Sequence, residues 1–410
     1  MNRNWLSAAT ALAVIAFVGG PRLAWATPHR MFVTSATGTG NLSTWANANG
    51  QTGIQAGDAI CQALAGAVPL PNAGAYRAWL SDSTHDAYCH VSGFPGTMSN
   101  NCGQASLPTT AGPWVRTDLA PFAPTIGLLV DPIYAVYAPP DLDQLANTVT
   151  NNFFTATLPD GTYDSSDGSC QDWTSSDSSQ PSIGEPSRTS AGWTSAATSP
   201  CNEAKALACF ESGAGPALPP FTAQGIPAFV TDETGYGDLS GWVGSGATDG
   251  VAGADAICRY EASAYGLYAQ DRYRAWISDD GLAAASRLTG DGPWVRLDGV
   301  GIATSKADLL DGTLFTSIGV TPSGAYFTGS TWTGTDELGA ATAQNCGHWA
   351  ATNGQGDGGY ADSVNALWTH GGGAECGNVL AAIYCVCDQT LLFQDGFESG
   401  DLTAWSRHVP

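Results

Sequence analysis

The sequence predicts an α+β fold in which one disulfide-held unit is used twice, and three observations predict it. The first is an internal repeat. Phe32-Val33-Thr34 returns as Phe229-Val230-Thr231, and Gly57-Asp58-Ala59-Ile60-Cys61 as Ala254-Asp255-Ala256-Ile257-Cys258. Tyr76-Arg77-Ala78-Trp79 returns as Tyr273-Arg274-Ala275-Trp276, at the same offset of 197. Gly112-Pro113-Trp114-Val115-Arg116 returns as Gly292-Pro293-Trp294-Val295-Arg296 only 180 positions later, so copy one carries a net insertion of 17 residues within about 83–103. The second is cysteine usage: of eleven cysteines, four in each copy stand at matching places (61/258, 170/346, 201/376, 209/385). The third is the balance of elements, one or two helices against several short strands cut apart by turn residues, among them 51 glycines.

The elements follow in order. Residues 1–26 read as a secretory signal: Arg3, the apolar run Ala11–Val18, and Ala24-Trp25-Ala26 as a small-x-small cleavage site. The run is too short to span a bilayer, so membrane insertion is not expected. The expected location is secreted or cell-surface, with the periplasm possible. Copy one occupies 27–212 and copy two 228–388, joined by a Pro/Gly linker over 213–227, with a separate tail over 389–410. Each copy opens on a β-like run, Met31–Thr34 or Ala228–Thr231. A glycine turn leads into an amphipathic helix through the first cysteine, which in copy two spans Ala256–Tyr265 with Asp255 as cap. Tyr-Arg-Ala-Trp reads as an alternating strand, with Arg77 and Arg274 expected to pair with Asp82 and Asp279. Loops and short strands follow, and Ala206–Phe210 or Leu380–Val386 closes the unit as a strand beside the first.

Composition excludes several function classes. With 37 acidic against 14 basic residues and a net charge of −23, the chain lacks what nucleic acid, heparin or an anionic membrane surface requires. Two lysines leave little for P-loop or Schiff-base chemistry. There is no Gly-x-Ser-x-Gly, His-Glu-x-x-His or Ser-x-x-Lys, so no catalytic residue and no cofactor site is expected. His85, Cys89, His90 and Cys102 in the insertion have zinc-ligand chemistry, but in an exported chain Cys89–Cys102 reads first as a local disulfide, and no metal site is expected. The loops around Asp164–Gly168 and Asn353–Gly359 lack the ligand alternation of a calcium loop and read as solvated turns.

Several of these segments carry a resemblance. Arg-Ala-Trp-Leu/Ile-Ser-Asp after a cysteine-bearing helix resembles a stretch of endostatin, the collagen C-terminal domain with a C-type-lectin-like fold. Trp332-Thr333-Gly334-Thr335, Cys346-x-x-Trp349 and Ile383-Tyr384-Cys385 are similar to further segments of that family. The similarity covers most of both copies and is closest to bacterial endostatin-like domains of exported proteins. Copy one departs from it at Phe154-Thr155-Ala156-Thr157. The resemblance implies nested disulfides, Cys61–Cys209 around Cys170–Cys201 and Cys258–Cys385 around Cys346–Cys376. An outer bridge closing more than about 100 residues is worth ~4–5 kcal/mol in the chain-entropy account. Neither the N-terminal histidine cluster that binds zinc in endostatin nor the calcium-and-sugar motifs of C-type lectins is present.

With Cys89–Cys102 these pairs use ten cysteines and leave Cys387 unpaired. Glu211 at the matching place suggests a solvent-accessible edge, hence a free thiol or an intermolecular disulfide. Five tryptophans recur in register (45/242, 79/276, 114/294, 173/349, 193/368) and read as core anchors. Trp114, Trp294 and Trp332 are the candidates for a ligand surface. The resemblance implies a non-enzymatic protein of extracellular recognition or adhesion that binds a protein or glycan. The rivals are a calcium-independent carbohydrate-binding module using exposed tryptophan, and a hydrolase with an undetected carboxylate pair. The tail Leu392–Trp405 resembles one found on diverse exported bacterial proteins and reads as a possible sorting element.

Overall fold

The computed structural model describes residues 27–131, 136–217 and 223–389. The expected signal segment and the tail from 390 onward lie outside the described residues, as does the centre of the linker. The chain mixes helix and strand in near-equal parts.

In copy one, β1 (His29–Val33) lies between β3 (Trp114–Val115), parallel to it, and β8 (Ala206–Glu211), antiparallel. The other side of β8 takes β2 (Tyr76–Ala78) and β5 (Phe153–Phe154), while β4 (Pro121–Ala123) extends the sheet beyond β3. β6 (Ser182–Gly184) and β7 (Ala197–Thr198) continue from β5. Copy two repeats the pairing. Here β9 (Ile226–Val230) is parallel to β11 (Trp294–Arg296) and antiparallel to β16 (Tyr384–Cys387). β10 (Tyr273–Ala275) pairs with β16, and β12 (Gly301–Ala303) with β11. Its outer strands β13 (Ser330–Trp332), β14 (Gln355–Tyr360) and β15 (Gly372–Glu375) form a separate sheet, joined to the first by a single bridge from Thr331 to Ala382. Opening and closing strands thus lie side by side in both copies.

A 15-residue helix packs on each sheet, Gly53–Ala67 and Gly250–Ala264. Ile54, Ile60, Cys61 and Ala65 form the buried face of the first, and Val68 before Pro69 ends it, since a pre-proline residue resists the helical region. Gly266, at φ +66°, lets the chain leave the second helix. This helix begins six residues earlier than the sequence suggested. Asp249 is its N-cap, and Asp255 sits inside it, facing β10. There Asp255 accepts from the Ala275 amide (2.9 Å) and from Arg274 (3.1 Å). Arg77 likewise pairs with helix residue Asp58 at 3.6 Å. The expected Arg77–Asp82 and Arg274–Asp279 pairs do not form, because the strand is pinned to the helix rather than to its own continuation.

Five disulfides are present: Cys61–Cys209, Cys89–Cys102, Cys170–Cys201, Cys258–Cys385 and Cys346–Cys376. The insertion of copy one is closed by Cys89–Cys102, and its histidines go to carboxylates: His90 Nε2 to Asp58 (2.8 Å) and His85 Nδ1 to Asp82 (3.0 Å). Copy two has no such insertion, and Arg287 bonds Asp255 in its place.

All five tryptophan pairs are buried, the most exposed being Trp45 at 9%. In four of the pairs the indole N–H groups find equivalent acceptors, whereas the buried Trp368 N–H has none among the described residues. Trp79 and Trp276 donate to Thr194 and Thr369 (both 2.8 Å), and Trp173 and Trp349 to the Ser81 and Ser278 carbonyls (2.9 and 2.7 Å). Trp114, Trp294 and Trp332 are therefore corrected from ligand-surface candidates to core residues. Each is at most 1% exposed, with its N–H bonded to the carbonyl of Glu211, Cys387 or Gly235 respectively.

The solvent-accessible edge expected at Cys387 is also corrected. β16 is a central strand, Cys387 is fully buried, and burial pushes its thiol up to about 12. Buried and protonated, it is not placed for an intermolecular disulfide. Glu211 is equally buried, its carboxylate held by Asn72 Nδ2 (2.6 Å) and the Arg30 amide (3.3 Å). Nor are Asp164 and Asp357 in solvated turns. Asp164 accepts from Ser182 Oγ (2.6 Å), and Asp357, within β14, accepts from His370 Nδ1 (2.6 Å).

Candidate ligand-binding cleft

The hydrophobic core divides cleanly between the copies. One buried cluster lies wholly in copy two and two lie in copy one. What joins the copies is polar. Arg188 reaches across from copy one, Nη1 to Asp362 Oδ1 at 2.7 Å, and stacks over the Tyr360 ring at 4.9 Å. The Thr189 amide donates to the Asp362 carbonyl (3.0 Å) and the Val364 amide to the Ser187 carbonyl (3.0 Å), a short antiparallel bridge between copies. Thr189 and Ser317 share a buried hydroxyl contact of 2.6 Å, and Ser190 donates to Asp362.

Beside this seam lies a cavity of about 570 Å³. Copy one contributes Arg116, Asp141, Leu142 and Thr148. The linker end contributes Ala223 and Gln224, and copy two residues 293–295, 301, 303, 304 and 313–315 with Asp308. A second cavity of about 250 Å³ shares Asp141, Thr148, Thr313 and Leu314 with it and runs on to Glu185 and Val364. The two form one groove along the junction.

The geometry of the groove follows from the repeated Trp-Val-Arg strand. Arg116, just past β3, donates to Asp118 (2.6 Å), Asp141 (2.5 Å) and the Pro139 carbonyl (3.1 Å), and its guanidinium lies 5.1 Å from the ring centre of Phe315 in copy two. Arg296, its counterpart, pairs with Asp298 (2.8 Å) and finds the Thr316 hydroxyl (3.1 Å) where Arg116 has a second carboxylate. Burial raises the Asp141 carboxyl to about 6 against the pull of Arg116. Asp308 is committed to the Thr304 amide and hydroxyl (2.6 and 2.8 Å), and Glu185 to Arg188 (3.2 Å) and Ser187 (2.9 Å). Leu142, Val295, Leu314 and the partly exposed Phe315 give the walls their apolar character.

Trp294 alone of the sequence candidates lines this groove, and it is 1% exposed. Trp114 is buried in the core of copy one, and Trp332 lines only a narrow recess of about 100 Å³ in copy two. Asp141, Phe315 and Asp308 were missed, because they lie outside the repeated motifs and meet only when the copies pack. Asp58 and Asp255 had a visible signal, the same acid in register in both copies.

Among the described residues one group can offer three metal-ligand atoms within 4.8 Å of one another: Asp279, Asp280 and His348. It is largely exposed, and His348 is raised by its hydrogen bond to Asp279. No helix among the described residues is long and apolar enough to cross a membrane. No protein-family model and no curated protein matches the chain.

Proposed function

We propose that the chain is a non-enzymatic binding protein of the extracellular space, made of two tandem endostatin-like, C-type-lectin-like domains, and that its ligand sits in the groove between them. The carrying observation is that groove, a concave, mainly apolar site assembled from both copies with a few fixed polar groups, the usual composition of a ligand site. Five disulfides support an oxidising compartment. The burial of the repeated tryptophans weighs against a carbohydrate-binding module that stacks sugars on exposed indoles. A screen of the mature chain against extracellular proteins and glycans tests the reading. Phe315→Ala should weaken the captured ligand about tenfold, as loss of an aromatic anchor does. Undiminished capture by that variant would place the ligand elsewhere.

One observation favours a second reading, hydrolysis: Asp141, at about 6, has a general acid's character and shares the groove with Asp308 and Glu185. Against it, both other carboxylates are held by their own neighbours. Asp141→Asn separates the two readings, since it would abolish turnover of a captured ligand while leaving capture in place.

A further inference from the structure

Copy two carries a second pocket, of about 440 Å³, that copy one lacks the residues to form. Tyr260, Glu261, Ala264 and Tyr265 come from one face of the 250–264 helix and its first following residue, a consequence of i, i+4 spacing. Asp232 and Glu233, just past β9, complete it. At the same offset of 197 copy one has Ser35, Ala36, Ala63, Leu64 and Val68. Both tyrosines and all three carboxylates therefore belong to copy two alone.

Among the described residues no ion pair reaches the three carboxylates of this pocket. Glu261 is 5% exposed, its two oxygens held by the Asp232 and Glu233 amides (both 2.9 Å). Burial above all, and then the negative charges of Asp232 and Glu233, lift its carboxyl to about 7 against the pull of those two amides. The Asp232 carboxylate already accepts from the Ser323 amide and hydroxyl (3.2 and 2.8 Å) and from Tyr265. Asp232 and Glu233 thus supply the negative field, and the oxygens of Asp232 and Glu261 are already bonded, which disfavours inner-sphere metal binding. Aromatic faces favour a large, weakly hydrated cation over a small hydrated one. Tyr260 and Tyr265 are each about half exposed, at 49% and 47%. Gly244 fixes the first of them, since a Cβ there would stand 2.6 Å from the Tyr260 Cβ.

We propose that this pocket of copy two binds a quaternary ammonium group, with the two tyrosine side chains lining it and the Asp232 and Glu233 carboxylates as the source of its field. The site is independent of the inter-copy groove. Choline chloride is titrated calorimetrically into the mature chain, beside its neutral isostere 3,3-dimethylbutan-1-ol and potassium chloride at equal ionic strength. Choline alone should bind, and Tyr260→Ala/Tyr265→Ala should weaken it about tenfold or more while circular dichroism stays unchanged. Three results would each overturn the proposal: equal binding of the neutral isostere, no heat at tens of millimolar choline, or an unchanged affinity in the folded double variant. Should the double variant fail to fold, Tyr260→Leu, which keeps the apolar bulk and removes the π face, gives the same comparison.

Discussion

Cys387 follows Cys385 by two positions on β16, so both side chains meet the same face of the sheet. That face is core, because the 250–264 helix covers it, tied there by Cys258–Cys385. The sequence pointed elsewhere because Glu211 occupies the matching place, and a carboxylate there suggested water. Glu211 is buried all the same, satisfied by Asn72 and the Arg30 amide, whereas Cys387 fills the place as a small apolar group. A thiol raised to about 12 and closed to solvent should resist Ellman's reagent in the native protein and react stoichiometrically after unfolding. Rapid native labelling would contradict this placement. Asp141 and Glu261 give a second prediction. Their folded carboxyls stand at about 6 and about 7, above their ordinary values, so the folded state holds these protons more tightly than the unfolded one. Their stabilising contribution is complete below about pH 4 and is lost as pH rises to about 7. Asp298 runs the other way: burial alone would lift it, but the Arg296 charge prevails and holds it low, so its contribution fades in stronger acid. The melting temperature should therefore be higher at pH 5 than at pH 8, and a flat or opposite trend would refute the assignment.

At the scale of elements, the repeated Tyr-Arg-Ala strand and the repeated acid in the helix before it form one device. Asp255 takes the Ala275 amide, Arg274 and Arg287, and Asp58 takes the Ala78 amide, Arg77 and His90. The strand was legible from its alternation, and the helix from its apolar spacing and cysteine. Their connection was not, because an arginine two residues from a tryptophan and five from an aspartate offers several partners, and only the helix–strand packing selects one. The helix start was misplaced for the same reason: Asp255 resembles a cap in isolation but is consumed by β10, leaving Asp249 as N-cap. Since Asp255 is mostly buried between two guanidinium groups, Asp255→Asn should cost about 3 kcal/mol in urea unfolding. Asp279→Asn, at the position where the sequence placed the arginine's partner, should cost well under 1 kcal/mol by the same measure. Equal costs at the two sites would show that the helix acid is not the anchor.

The largest scale holds what the repeat could not show. A duplicated sequence reveals each unit from its own motifs, and the paired cysteines and tryptophans did so here. The junction uses residues that have no counterpart role in the other copy: Arg188 and Thr189 from one, Asp362, Ser317 and Phe315 from the other. No spacing rule links positions some 170 residues apart, so the groove between copies was invisible from sequence. Because the cores do not cross this junction and its contacts are hydrogen bonds, one ion pair and two arginine–ring contacts, separation exposes mainly groups that water can satisfy. Residues 27–217 and 223–389, which keep β9 whole, made separately under oxidising conditions should therefore each unfold cooperatively. Ligand captured in the groove should bind the joined chain and not an equimolar mixture of the halves, since the linker supplies the effective concentration that holds a polar junction together. Asp362→Ala in the joined chain removes the acceptor for Arg188 and Ser190 and leaves each core intact. It should leave both folded while splitting one calorimetric transition into two. An isolated half that stays unfolded, or an Asp362→Ala chain that melts as a single unit at the wild-type temperature, would show that the copies are bound by something other than this seam.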